Sequence, residues 1–259
     1  MPHEEHGGPV AGRRSTRFLT TGCLTALVVL IVVLTAGLSW LWYADRHAGA
    51  VNGERRQRAV SSMLRQARAD AEATARSLDA SGAGDVDRLT GVIARHTASP
   101  LITYDTSRHT FTALLARQAV YERLGVVPGG GSDMVSRCLE VTYSRPDGRG
   151  WTSKVTVRDD DVCRPATEIG HMARLAGTRI AGLAGHELTR GAVQKALDPT
   201  GALRTYSVTS VTRTQDTAVV LVRISSRDRT AGQCYRVTRP VTGPAADRPS
   251  VTAAAASSC

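Results

Sequence analysis

The sequence predicts an α+β protein. One N-terminal transmembrane helix precedes two similar helix-plus-antiparallel-sheet units, each with one hairpin disulfide. Three observations carry this expectation. An uncharged stretch of 27 residues lies between Arg17 and Asp45. Four cysteines form two pairs of equal spacing, Cys138/Cys163 and Cys234/Cys259, each 25 residues apart. The segments they enclose can be overlaid at an offset of 96 residues, where both read as strand, polar Pro/Gly turn, strand.

Residues 1–17 are expected to form a cytoplasmic tail and residues 18–43 the membrane span. The centre of that span, LTALVVLIVVLTAGLSWLWY, holds roughly the 20 apolar residues that cross a hydrocarbon core of about 30 Å. Trp40, Trp42 and Tyr43 close it, where amphipathic rings favour the membrane interface. A cleaved signal peptide is the rival reading. Its apolar region runs about 7–15 residues and ends in small residues, whereas this one is longer and ends in a Trp-rich cluster. Thr-Thr-Gly-Cys23 resembles a lipobox faintly, but Cys23 precedes the apolar run instead of following it. The flanking positive charges are nearly balanced, with Arg13, Arg14 and Arg17 on one side and Arg46, Arg55, Arg56 and Arg58 on the other. The cluster nearest the apolar run is N-terminal, which favours an N-inside orientation.

Residues 44–165 are expected to hold a juxtamembrane helix and the first extracytoplasmic unit, and residues 166–259 the second. Val60, Leu64, Ala67, Ala71, Thr74 and Leu78 are spaced as a heptad seam. Two readings stay open for it: a stalk that pairs two copies through residues 53–80, or a first helix lying across its own sheet. Ser81-Gly82-Ala83-Gly84 marks its end. Asp87–Gly91 and Glu187–Gly191 then begin short helical patterns. Strand-like runs follow each: LITYDTS and FTALLARQAVYERL, then RTYSVTSVT and TAVVLVRISS. Each unit therefore reads as helix, helix, then four antiparallel strands. In the cysteine-bounded hairpins, Val141-Thr142 overlays Val237-Thr238, and Val155-Thr156 overlays Val251-Thr252. The competing reading is one α+β domain whose two hairpins happen to look alike.

Four cysteines allow three pairings. Cys138–Cys163 with Cys234–Cys259 is the simplest, since each bond closes one hairpin. Disulfides persist in oxidising compartments, so this pairing places residues 44–259 beyond the membrane; reduced thiols would place them in the cytosol.

The net charge is +10, and all but two of the 33 basic residues, Lys154 and Lys195, are arginine. That bias resembles a GC-rich actinobacterial coding sequence. It weakens the usual argument from high pI to nucleic acid, while leaving anionic partners in general open. Nucleic-acid binding is not expected, because single-strand binders also need stacking aromatics and only seven aromatics lie outside the span. Membrane is an expected partner. Envelope proteins or anionic wall polymer are the other candidates.

Chemical motifs are scarce. His186-Glu187 opens like the zinc-protease helix, but Arg190 stands where the second histidine belongs. Asp159-Asp160-Asp161 lacks the alternation, glycine and distal glutamate of a calcium loop and reads as a solvated turn. Gly129-Gly130-Gly131-Ser132 is a hairpin loop, since no helix with Lys-Ser/Thr follows it. No G-x-S-x-G elbow occurs. No catalytic, cofactor-binding or metal residue is assigned, and an enzyme is not favoured. The one candidate pocket comprises Tyr104, Asp105, His109 and Tyr121, on neighbouring expected strands of the first unit. Trp151 shares a face with Val155 and is expected in the core.

A short tail, one span and tandem helix-plus-sheet repeats resemble the bitopic scaffold proteins of Gram-positive conjugation and secretion systems, which carry tandem cystatin-like, nuclear-transport-factor-like domains. The resemblance covers architecture from residue 18 onward and no sequence motif, and the hairpin disulfides depart from it. The chain is similar, too, to many anchored actinobacterial envelope proteins. What the resemblance implies is a non-enzymatic, membrane-anchored binding or assembly protein of the cell envelope. The rival class is a small-ligand binder or enzyme that uses the concave sheet face of one unit.

Overall fold

A computed structural model describes residues 15–82, 84–125, 130–146, 149–201, 204–241 and 251–259, with side chains from residue 24 onward. Gly129 of the glycine-rich loop, the Cys23 side chain, Asp147 and Gly148 of the first hairpin turn and residues 242–250 of the second lie outside the described residues. The chain is α+β and its contacts group into two compact units: residues 1–56 with 122–133, and residues 57–121 with 134–259.

α1 (Ser15–Ala80) is one continuous helix of 66 residues. Two separate helices were expected, but nothing between residues 44 and 52 breaks the ladder: the stretch has no proline, and Gly49 alone costs about 1 kcal/mol. Its apolar part is long enough to cross a membrane, and its large side chains are exposed all round, from Leu24 to Tyr43. At the end of that stretch the Arg46 guanidinium lies 4.9 Å from the Trp42 ring centroid, and Tyr43 stacks on His47. In the same unit Asn52, the chain's single asparagine, reads the Leu124 backbone twice. Its amide donates to the Leu124 carbonyl at 2.9 Å and its oxygen accepts the Leu124 N–H at 2.7 Å.

The second unit contains two four-stranded antiparallel meanders. The first is β1 (Leu101–Asp105), β2 (Thr110–Glu122), β3 (Ser132–Ser144) and β4 (Thr152–Arg158), in that order. The second is β5 (Tyr206–Arg213), β6 (Thr217–Ser225), β7 (Gly232–Pro240) and β8 (Thr252–Ala256), again in chain order. Each is preceded by two helices: the end of α1 with α2 (Val86–Thr97), and α3 (Arg164–Ala181) with α4 (Arg190–Leu197). The expected order of elements is therefore present twice.

Local chemistry explains the helix ends. Asp85 accepts from the Arg88 N–H at the start of α2, and Thr189 accepts from the Ala192 N–H at the start of α4. Pro165 opens α3, where a missing N–H costs nothing. Two arginines close helices from outside. Arg239, buried on β7, donates to the carbonyls of Ile180 and Leu183 at the end of α3. Arg179 donates to the Leu197 carbonyl at the end of α4, at 2.5 Å. A guanidinium there satisfies orphan carbonyls and complements the helix dipole.

One hydrophobic cluster joins both repeats. Ala67, Ala71 and Leu78 of α1 pack with Phe111, Leu139 and Tyr143 of the first sheet, and with Ile169, Ile180, Val220 and Val237 of the second repeat. The later half of the heptad seam, Ala67, Ala71, Thr74 and Leu78, is thus buried inside this unit. Trp151 packs against the cluster, with its ring 5.7 Å from that of Phe111. The Tyr143 hydroxyl is buried with no hydrogen-bond partner among the described residues, and burial pushes its pKa up to about 12.

Both disulfides pair as the spacing suggests, Cys138–Cys163 and Cys234–Cys259, each with Cα atoms 5.4 Å apart. Cys163 immediately precedes α3, so the first bond also fixes where the second repeat's leading helix begins. The overlay of the hairpins needs one correction. Val141 faces Val155, whereas its counterpart Val237 faces Ala253, so Val155 corresponds to Ala253 and not to Val251. A slip of two residues keeps every side chain on its own face, which is why the alternation pattern could not reveal it.

Candidate functional site

Three residues of the expected pocket, Tyr104, Asp105 and His109, gather at the β1–β2 turn, and Tyr121 stands apart from them. His109 lies in the β1–β2 turn, not on a strand, with φ +48°. Its Nδ1 is 3.0 Å from the Tyr104 hydroxyl, and Tyr104 packs on Phe111. Asp105 accepts from the N–H and hydroxyl of Ser107 and the N–H of Arg108, which makes it the cap of that turn and holds its carboxyl below the usual range. Tyr121 sits ten positions along β2 from Phe111, roughly 33 Å away at strand rise.

Arg190 donates to the Val208 carbonyl, so the residue that spoils the zinc motif buttresses β5. Gln194 of α4 reads β5 twice, accepting from Val208 N–H at 2.8 Å and donating to the Tyr206 carbonyl at 3.1 Å. This occupies the outer edge of the second sheet, where an unpaired strand invites association. Asp160 and Asp161 lie in a short 3-10 helix, Asp160–Cys163, and are exposed. Among the described residues no cluster of His, Cys, Asp or Glu could hold a metal ion.

A cleft of about 900 Å³ lies where the two repeats meet. Its walls come from the end of α2 and the Ala98–Pro100 connection, from β2 at Leu115–Gln118, from α3, and from β8. Tyr235 and Pro100 contribute to its lining, and the Tyr235 hydroxyl donates to the Pro100 carbonyl at 2.6 Å. Burial pushes the Tyr235 pKa up, and the nearby charge of Arg174 opposes that rise. Gly170 lets α3 approach this point, since a Cβ there would stand 2.8 Å from the Pro100 Cβ.

Three arginines line the cleft, Arg95, Arg117 and Arg174, and among the described residues its lining holds no carboxylate. Arg117 is held by Asp70 at 3.0 Å. Arg95 and Arg174 are exposed, and neither has a carboxylate partner among the described residues. Two cations of one sign in a walled depression raise the local concentration of anions.

Beneath the cleft, buried Gln233 joins the repeats. Its Oε1 accepts the Ile102 N–H of β1 at 2.8 Å, and its Nε2 donates to the Ala256 carbonyl of β8 at 2.6 Å. Asp87 of α2 makes a second tie, accepting from the Ser257 N–H at 3.0 Å and from the hydroxyls of Ser257 and Ser258. Partial burial raises the Asp87 pKa, but these hydrogen bonds together outweigh it and hold the carboxyl below its usual value. A smaller adjoining cleft of about 480 Å³ shares Arg95, Ala254 and Ala255, but its two aspartates are already engaged as the α2 cap and the serine tie.

Arg95, Arg117 and Arg174 were not legible as a set. They stand on three different elements at unrelated spacings, within a chain rich in arginine throughout. No family model, curated protein or solved structure matches this chain.

Proposed function

We propose that this is a membrane-anchored, non-enzymatic binding protein of the bacterial cell envelope, whose cleft between the repeats captures an anionic partner. α1 supplies the single span, with the N-terminus in the cytoplasm and the disulfide-bonded region outside. The carrying observation is the cleft itself: three arginines, two of them without a carboxylate partner, and no acidic residue in its lining, all among the described residues. The disulfides support the oxidising side of the membrane. The resemblance to bitopic scaffold proteins supports an assembly role. The rival reading, a pocket on one concave sheet face, has less support, because the large cleft draws its walls from both repeats.

The test is binding of fluorescent polyglutamate and poly(glycerol phosphate) to the full chain in detergent, with polylysine as control. Polyanions are expected to bind in a salt-sensitive way. Arg95→Ser with Arg174→Ser should weaken that binding by tenfold or more, on the order of 1.4 kcal/mol. Unchanged affinity in the double variant would overturn the reading.

A further inference from the structure

One wall of the cleft is an open strand edge. β1 pairs with β2 only through Leu101↔Leu114 to Asp105↔Thr110, although β2 continues to Glu122. Beyond Leu114, no strand lies on the β1 side of β2 among the described residues. The direction of the backbone groups follows from the register. The Ile102 N–H leaves β1 outward, to Gln233, so Ile102 and its partner Ala113 do not bond each other across the ladder. Alternation then turns the even-numbered residues of β2 toward the β1 side. Leu114 conforms, since its carbonyl accepts from the Ser99 hydroxyl on that side. Ala116 and Gln118 come next, and both line the cleft. Their N–H and C=O groups therefore face the space where β1 has ended.

We infer that the cleft binds an extended acidic peptide segment of a partner protein, which adds to β2 as a strand along Ala116 and Gln118 and presents carboxylates to Arg95 and Arg174. This rests on the anion-binding reading and adds the backbone as a second determinant. Strand addition takes its affinity from main-chain hydrogen bonds and its specificity from alternate side chains. A carboxylate pairs with guanidinium through short, charge-assisted bonds. A phosphate polymer satisfies the arginines but has no amides for the open edge. The peptide is favoured because it matches both features.

The probe is a fluorescent peptide of alternating valine and glutamate, titrated into the full chain in detergent. Two further versions carry N-methyl groups, one on the valine amides and one on the glutamate amides. An added strand faces β2 with only one of these sets, so one methylated version should bind about tenfold more weakly and the other unchanged. Ala116→Pro removes one cleft-facing N–H and should weaken the peptide similarly while leaving poly(glycerol phosphate) binding by charge in place. Equal binding of both methylated peptides overturns strand addition. So does tighter binding of poly(glycerol phosphate) than of the peptide. If the Arg95/Arg174 double variant still loses affinity in those cases, anion capture stands and the strand-addition proposal alone fails. If it does not, both fail.

Discussion

Replacing Gln233 by leucine tests how the two repeats are held together under the cleft. The side chain is 4% exposed and bonds β1 on one side and β8 on the other. Leucine leaves two buried backbone groups, the Ile102 N–H and the Ala256 carbonyl, without that partner. Each unpaired buried group costs about 1–3 kcal/mol. Apolar burial of the leucine returns about 1–2 kcal/mol. The net loss is about 1–4 kcal/mol, equivalent to a fall in Tm of roughly 3–12 °C for a folded region of this size. The assay is denaturant unfolding of the full chain in detergent, with amide hydrogen exchange read at Ile102 and Leu101. Exchange at Ile102 should accelerate in the variant, while Leu101, paired with Leu114 in the β-ladder, stays protected longer. A loss below about 0.5 kcal/mol with unchanged Ile102 protection would refute the view that this amide joins the repeats.

Four further outcomes follow from the same contacts. Replacing Cys138 and Cys163 by serine should cost about 3.5 kcal/mol in the loop-entropy model for a closure of this length, read from the shift in urea midpoint. Asp87 is depressed in the folded state, so its contribution is complete above the unfolded value of 3.8 and fades as pH falls through the lower folded value. Asp87→Asn should therefore flatten the acid limb of the stability curve between about pH 5 and pH 2. Tyr143 is raised to about 12 from 10, so its stabilisation is complete below pH 10 and is lost as pH rises through 12; Tyr143→Phe should soften that alkaline loss in a pH titration of the unfolding free energy. Arg239→Leu removes the donor that caps α3 and should cost about 2–4 kcal/mol, seen as faster exchange at the α3 C-terminus.

Much of the fold was legible because its signals are local. Alternation marked Val220, Val222 and Ile224 as one buried face, and all three are in the core. Equal cysteine spacing marked two hairpins, since loop geometry repeats when the repeat does. The uncharged run marked the membrane-length helix. The rest depended on contacts between distant residues. Continuity of α1 through residues 44–52 depends on the absence of any strong breaker, which a charge-based boundary at Asp45 hides. The two-residue slip between hairpins leaves the alternation intact. The cleft is the clearest case. Arg95, Arg117 and Arg174 gain meaning only once α2, β2 and α3 are brought to one place, and in the sequence they stand among 30 other basic residues, 28 of them arginine. His109 went astray for a different reason: the strand-like run around it ends at a turn that Asp105 caps.

Sidedness is the claim on which anchoring, disulfides and an external partner all depend, and it can be read directly. Gln215→Cys places a thiol in the exposed β5–β6 turn, and His3→Cys places one in the N-terminal tail. Intact cells are treated with a membrane-impermeant maleimide before and after lysis. The thiol at position 215 should label in intact cells, and the one at position 3 only after lysis. Labelling in the reverse order would put the cleft in the cytosol and contradict the proposed function at its base.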